Sequence, residues 1–407
     1  KDNTGYPVPD GTSVTFNATA GSITPSAVTK DGIATATLTS SSTPASASVT
    51  ATAGLITSSP ITIDFSAGNA ATITITATRD SLVAGSAQID TIRATVRDGS
   101  GNLVPDGTVV SFATTFGSIT PSTTTVSGVA TANLTPGTFA GNAIVTATSG
   151  TASANKGIVI TAGGVNSIEI QTSSNTIQVS GTGGIETCVL TATVYDQNGN
   201  KVPDGTSVSF TILRGPGASG LPTAPNLNDL NWGPVVIPTA GGVAKVSLNS
   251  GTQSGTVDIR ITSGAITSGA PQVTITAGPP FSLSISTEIY STVGKPSPGT
   301  YSAGFSALVQ DKYSNPVADG RAVYFTLYTD ASFTTQFDSA SIEGSGVTGK
   351  TVIGSGIATV QMYWDSKPTF HNLVVRAETS GDSVWSQLAI GIPIVAPVLL
   401  VGLPPYF

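Results

Sequence analysis

The chain has 407 residues, and only 10% of them are charged, against about 25% in a typical soluble domain. The net charge of −7 is spread along the chain with no Lys/Arg stripe, so the electrostatic footprint of a nucleic-acid-binding protein is missing. One cysteine excludes an intrachain disulfide, and 46 Gly with 25 Pro in a background of Thr, Ser, Val, Ile and Ala is the vocabulary of strands and turns.

In chain order, the first clear element is Val8-Pro9-Asp10-Gly11 followed by Thr12–Thr19. Pro presets φ, Asp offers a side-chain acceptor to nearby backbone and Gly takes positive φ, so the tetrad reads as a turn. Val14 and Phe16, two positions apart, then share one face of a strand. Gly32–Leu38 is an alternating strand, and Ala47–Ala53 and Pro60–Phe65 close the unit. The turn-and-strand motif returns at Val104–Phe112, at Val202–Phe210 and, with Ala318 in place of Pro, at Val317–Phe325. A repeat of about 100 residues is the size of one β-sandwich, far longer than a solenoid repeat.

The expected modules are therefore 1–68, 69–163, 164–278 with an insertion at 214–234, and 279–395, the most divergent, followed by a tail at 396–407. The fold class is all-β: four tandem immunoglobulin-like antiparallel β-sandwiches, the first incomplete, with a C-terminal hydrophobic strand. Linkers such as Ser66–Asn69 and Ala277–Pro280 are short, which predicts a semi-rigid string. The second module opens with two alternating strands, Ala71–Ala77 and Ile89–Val96, whose counterparts the first module lacks. Cys188 shares strand parity with Leu190, Ala192 and Val194, the position of a buried thiol.

The pattern carried by Asp98, Gly101, Asn102, Val104–Gly107, Phe112, Gly117–Pro121, Gly128, Ala130, Leu134 and Ala143–Ala147 resembles the bacterial immunoglobulin-like domain of the invasin/intimin type. The resemblance covers the first three modules well and the fourth loosely. It implies stalks and spacers of surface adhesins, outside the cell, and no catalysis.

The tail holds the most apolar run of the chain, carried by Ile392, Ile394, Val395, Val398, Leu399, Leu400, Val401 and Leu403. It is broken by Pro and Gly and is too short for a membrane span of about 20 residues. Both its faces are apolar, as in a strand buried on two sides. An incomplete sandwich at one end and an orphan strand at the other predict donor-strand complementation, the tail entering a groove at Val14, Phe16, Ile33 and Leu38 of the next copy. Such a contact is head-to-tail and builds an open homopolymer, a pilus-like surface filament. The alternative is a stalk or spacer fragment of a monomeric invasin-like adhesin, cut from a longer chain, since one strand does not replace two.

Catalytic signatures are missing from the sequence: His371 stands alone, and no nucleophile elbow, Walker loop or zinc ligand set occurs. No enzyme activity, no cofactor and no metal is expected. Asp98, Asp196 and Asp311 read as turn formers, each followed by Gly or Asn and not by a second carboxylate, with calcium between modules the competing role. Asn17 and Asn133 fit glycosylation acceptors, a low-specificity match in a Thr-rich chain. Tyr363 and Trp364 in the aromatic fourth module mark a possible partner surface, toward a host or neighbouring cell.

Overall fold

The computed structural model describes residues 1–290, 301–317, 320–337, 340–342, 349–350, 355–364, 372–379 and 384–391. Every regular element among them is a strand. The second sandwich shows the complete pattern. One sheet runs Ser118–Ile119, Val129–Thr135, Asp90–Arg97, Thr72–Ala77; the other runs Ser122–Thr124, Val109–Thr114, Gly141–Ser149, Ala152–Thr161, Ser81–Val83. Alternation decides what goes inside. Ile92, Ala94 and Val96 from one sheet meet Val110, Phe112, Val145 and Ala147 from the other, all 5% exposed or less. Their outward neighbours are mostly Thr, Ser and Arg, with Val109, Ala113 and Ile144 also exposed on the outer faces.

The alternation predicts two opening strands in this sandwich; the structure has three. Ser81–Val83 lies between the expected pair and joins the opposite sheet, parallel to Ala152–Thr161. Three residues are too few to show a period, which is why the pattern does not reveal it.

The first sandwich is built on the same plan with a gap. Its larger sheet places Ser13–Ala18 between Ser26–Val28 and Ala45–Ala53, with Ile56–Thr57 and Ile61–Phe65 on the latter. The other sheet is a two-stranded stub, Ser22–Ile23 with Leu38–Thr39. Gly32–Leu38 was expected as one alternating strand, and only its last residue is in a strand. The corresponding Val129–Thr135 is a strand because it pairs along Asp90–Arg97, a neighbour with no counterpart within residues 1–68. Periodicity sets which face a segment presents; a ladder requires a partner.

The third sandwich repeats the plan with Ser167–Thr172, Thr187–Tyr195 and Val243–Asn249 in one sheet and Ser207–Arg214, Gly255–Ser263 and Val273–Thr276 in the other. The insertion adds Asn226–Leu227 to the first of these, pairing Leu227 with Leu248. Cys188 is 1% exposed inside it, and burial pushes the thiol up to about 11. The fourth sandwich pairs Ser282–Tyr290, Tyr301–Gln310 and Ile357–Trp364 in one sheet and Ala322–Tyr328, Asn372–Thr379 and Trp385–Gly391 in the other. Phe305, Phe325, Leu327 and Met362 fill its core.

By contact the chain divides into two units, Lys1–Gly164 with Tyr195–Pro203, and Val165–Val194 with Asp204–Phe407.

Candidate functional site at the sandwich joints

Two motifs hold this fold together, and they have different jobs. The Asp of the Pro-Asp-Gly turn does not bond its own backbone, as the sequence suggests it would. Asp106 Oδ1 instead accepts from the Ser127 amide at 2.6 Å, Asp10 from Asp31 at 2.7 Å and Asp204 from Gly241 at 2.6 Å. Those three amides belong to residues at φ of 50°, 50° and 58°, the left-handed corner of the next hairpin. Beside it a buried threonine ties the turn down: Thr125 Oγ1 donates to the Pro105 carbonyl at 2.7 Å and accepts from Thr108 N at 3.1 Å. Thr29 does the same in the first sandwich, donating to Pro9 and accepting from Thr12 N. In the sequence these threonines look like any other in a Thr-rich chain.

The second motif, Asp-x-x-Gly-Asn, lies where one sandwich meets the next. Asp98 is 6% exposed. Its Oδ1 accepts from Ser100 N and Asn102 N, and its Oδ2 from Gly68 N in the linker at 2.9 Å and from Asn102 Nδ2 at 3.0 Å. Asn102 Nδ2 also reaches across to the Ser42 carbonyl of the first sandwich at 2.7 Å. The Asn102 side chain and the Gly68 amide hold the Asp98 carboxyl at about 2, well below the usual carboxylate range.

The arrangement recurs. In the first unit Asp196 accepts from Gly163 N at 2.8 Å, and Asn200 donates to the Thr138 carbonyl while its Oδ1 accepts from Ala140 N. Burial alone would raise Asp196, but the hydrogen bonds from Asn200 and Gly163 outweigh it and lower the carboxyl. In the second unit Asp311 accepts from Gly278 N at 2.9 Å, and Asn315 donates to the Thr252 carbonyl at 2.8 Å while accepting from Ser254 N at 2.9 Å. The spacing of Asp and Asn is therefore functional in a mechanical sense. The carboxylate rigidifies the turn and anchors the linker glycine, and the turn aims an amide at the neighbouring sandwich. At each of the three carboxylates the acceptor sites face N–H donors, which is the turn-forming role and leaves calcium no obvious opening.

The residues of the expected strand-acceptor groove are Val14, Phe16 and Leu38, half-buried, and Ile33, 68% exposed. Their counterparts Val110, Phe112 and Leu134 are 0%, 5% and 0% exposed. The expected donor strand, from Ile392 to Leu403, lies outside the described residues, as do His371 and the side chain of Trp364. Tyr363 is half-buried on Ile357–Trp364, opposite Ser302 and Ser341. The fourth sandwich gathers a different aromatic set on its other sheet. Phe333 stacks edge-on against Tyr328 and Trp385 at 5.1 and 5.7 Å, and the Arg376 guanidinium lies over Phe333 and Trp385. Trp385 is 49% exposed, and Phe333 sits at φ 56°, a conformation that bulky residues rarely hold. Loop and strand meet there only in the fold.

No protein-family model matches the chain, and no curated protein matches its sequence. Solved structures do match. The chain is similar to FdeC, an Escherichia coli adhesin, at 19% identity over 81% of this chain and 100% of that one, with a TM-score of 0.50. It is similar to Yersinia pseudotuberculosis InvD at 17% identity over 78% of this chain and 97% of that one, also at 0.50. Invasin, a bacterial integrin-binding protein, matches over 96% of this chain and 74% of its own at 17% identity and a TM-score of 0.46. At these identities the likeness is one of fold: the chain is a tandem array of immunoglobulin-like sandwiches, the fold it shares with FdeC and InvD.

Proposed function

We propose that the chain is a spacer segment of a bacterial surface adhesin, a series of immunoglobulin-like sandwiches that holds a binding region away from the cell outside its envelope. The module limits 1–68, 69–163, 164–278 and 279–395 belong to this reading. The observation that carries it is the repeated joint, in which Asn102 reaches Ser42 and Asn315 reaches Thr252 while Asp98 and Asp311 fix the linker glycines. A spacer needs adjacent sandwiches held in a fixed relation, and a charge-anchored amide bonded across the joint, half-buried at Asn102 and buried at Asn315, supplies that more firmly than a flexible linker does. Fold similarity to FdeC and InvD supports the same reading. The partner is then a host or neighbouring cell surface, met by Tyr363 and Trp364, by the Trp385 cluster, or by a region beyond this segment. Catalysis has no part in it.

A second reading, the strand-exchange filament, is favoured by one observation: the half-buried Val14, Phe16 and Leu38 of the first sandwich. In it, Ile394–Leu403 of one copy fills that groove in the next. Against it stands the count of strands, because the second sandwich opens with Thr72–Ala77, Ser81–Val83 and Asp90–Arg97, and one donor replaces one of three. Sedimentation of the full chain and of a chain lacking 392–407 separates the two. A spacer is monomeric in both forms. A filament subunit gives a ladder of head-to-tail species that collapses to monomer on deletion, and that result would overturn the spacer reading.

A further inference from the structure

We infer that the second and third sandwiches carry tension along the chain, each through a short clamp that ties its opening segment to its last strand. On the spacer reading, on which this rests, a chain held between a cell and a bound surface is pulled from its two ends. The load then has to pass through each sandwich from the strand that enters it to the strand that leaves.

In the second sandwich Ser81–Val83 runs parallel to the end of Ala152–Thr161, with Leu82 opposite Ile160, both 1% exposed. Val159 N donates to the Asp80 carbonyl at 3.1 Å and Ala84 N to the Thr161 carbonyl at 2.8 Å. Thr161 Oγ1 adds a bond to the Leu82 carbonyl at 3.2 Å. The third sandwich repeats the device. Thr176–Gln178 runs parallel to Val273–Thr276, with Ile177 opposite Ile275, again both 1% exposed. Thr274 N donates to the Asn175 carbonyl at 2.9 Å, Val179 N to the Thr276 carbonyl at 3.0 Å, and Thr276 Oγ1 to the Ile177 carbonyl at 3.3 Å. Thr161 and Thr276 each open the triplet Thr-Ala-Gly. Its glycine is the one that the next sandwich's carboxylate holds, Gly163 by Asp196 and Gly278 by Asp311. Clamp and joint are thus two residues apart on one path of load.

Direction decides what a pull does. Thr72–Ala77 starts at the joint with the first sandwich, because Thr72 pairs with Arg97, beside the Asp98 that holds Gly68. The opening segment then runs toward the opposite end, where the Ala84 carbonyl accepts from Asn198 Nδ2 of the next sandwich at 3.4 Å. The last strand ends at that same joint, since Gly163 is bonded to Asp196. Tension therefore draws Ser81–Val83 back toward the first joint and Thr161 forward toward the next. Parallel strands drawn in opposite directions slide, and sliding breaks the bonds between them together. The same strands parted from one end unzip, one bond after another. A single backbone bond contributes little net, so it is breaking them together that resists the pull.

The test is single-molecule force spectroscopy on the full chain, held through pairs of introduced cysteines; Cys188, 1% exposed, takes no handle. Asn69→Cys with Gly164→Cys loads the second sandwich along the chain. Ala87→Cys with Gly164→Cys parts the clamp from its end, because Ala87 follows Ser81–Val83 and Gly164 follows Thr161. All three positions are exposed, and a Cβ at Gly164 meets nothing within 4 Å. At matched force, unfolding along 69–164 is expected to be slower than along 87–164 by about 5- to 150-fold, the factor for two further bonds broken together. Thr161→Val removes the hydroxyl's bond to Leu82 and speeds unfolding along 69–164 by about 2- to 12-fold, the factor for one bond. Thr125→Val lowers stability in urea but leaves that rate unchanged, because its bonds lie outside the clamp and are still made when the clamp breaks. Equal rates along the two axes would overturn the assignment. So would a larger effect of Thr125→Val than of Thr161→Val along 69–164. If Thr161→Val disturbs the fold, judged by circular dichroism, the comparison of the two axes alone decides. Sedimentation judges the spacer reading separately: a monomer whose two axes unfold alike keeps the spacer and loses the clamp.

Discussion

Replacing Asn315 by Ala isolates the joint of the second unit. Asn315 is 5% exposed and makes two bonds across it, Nδ2 to the Thr252 carbonyl at 2.8 Å and Oδ1 from Ser254 N at 2.9 Å. Each neutral bond contributes about 0.5–1.5 kcal/mol net, so the pair contributes about 1–3 kcal/mol to closing the joint. That corresponds to about a 5- to 150-fold change in the opening equilibrium. The further bonds from Nδ2 to Asp311 lie within the turn of the fourth sandwich and do not favour closure directly. Hydrogen exchange read by mass spectrometry on the full chain resolves the effect. In Asn315→Ala the Ser254 amide exchanges faster by that factor, while the Gly278 amide, still held by Asp311 Oδ2, and the core strand Gly255–Ser263 stay protected. Unchanged exchange at Ser254 would refute the joint's contribution. Acceleration spread evenly over the fourth sandwich would show that Asn315 supports its own fold and not the contact.

Asp98 makes the first joint acid-sensitive. Its folded value of about 2 lies below the unfolded value of about 3.9, so the unfolded chain binds the extra proton first and stability falls with pH. Its contribution is full above about pH 4 and lost by about pH 2, so the stability gap between the native chain and Asp98→Asn in urea unfolding closes across that window. Thr125→Val keeps the shape of a side chain that is 1% exposed but removes two hydrogen bonds, the one to the Pro105 carbonyl and the one from the Thr108 amide, and at about 0.5–1.5 kcal/mol each it costs about 1–3 kcal/mol in the same assay. Cys188, buried and with its thiol pushed up to about 11, stays unreactive toward a disulfide reagent at pH 8 until the third sandwich unfolds. Rapid labelling of the folded chain would show that this core opens.

Much of the architecture is legible in the residues alone. Ile92, Ala94 and Val96 face inward because the strand period is two, and the same period puts Cys188 beside Leu190. Pro-Asp-Gly marks its turn because φ is decided locally. The outcome for Gly32–Leu38 was not legible: its alternation matches that of Val129–Thr135, yet it forms no ladder without a neighbour like Asp90–Arg97. Nor could the partners of the acidic residues be read. Asp106 bonds an amide 21 residues away, Asp98 one 30 away, and Asn102 a carbonyl 60 away, and no spacing rule links positions so far apart. The insertion looked like a mere interruption until the fold laid Asn228 and Asp229 against Ser247 and Asn249. By itself the sequence determined which side chains face inward and where the chain turns, because both depend on neighbours in the chain. Only the tertiary structure decided which carboxylates and amides meet, because that depends on neighbours in space.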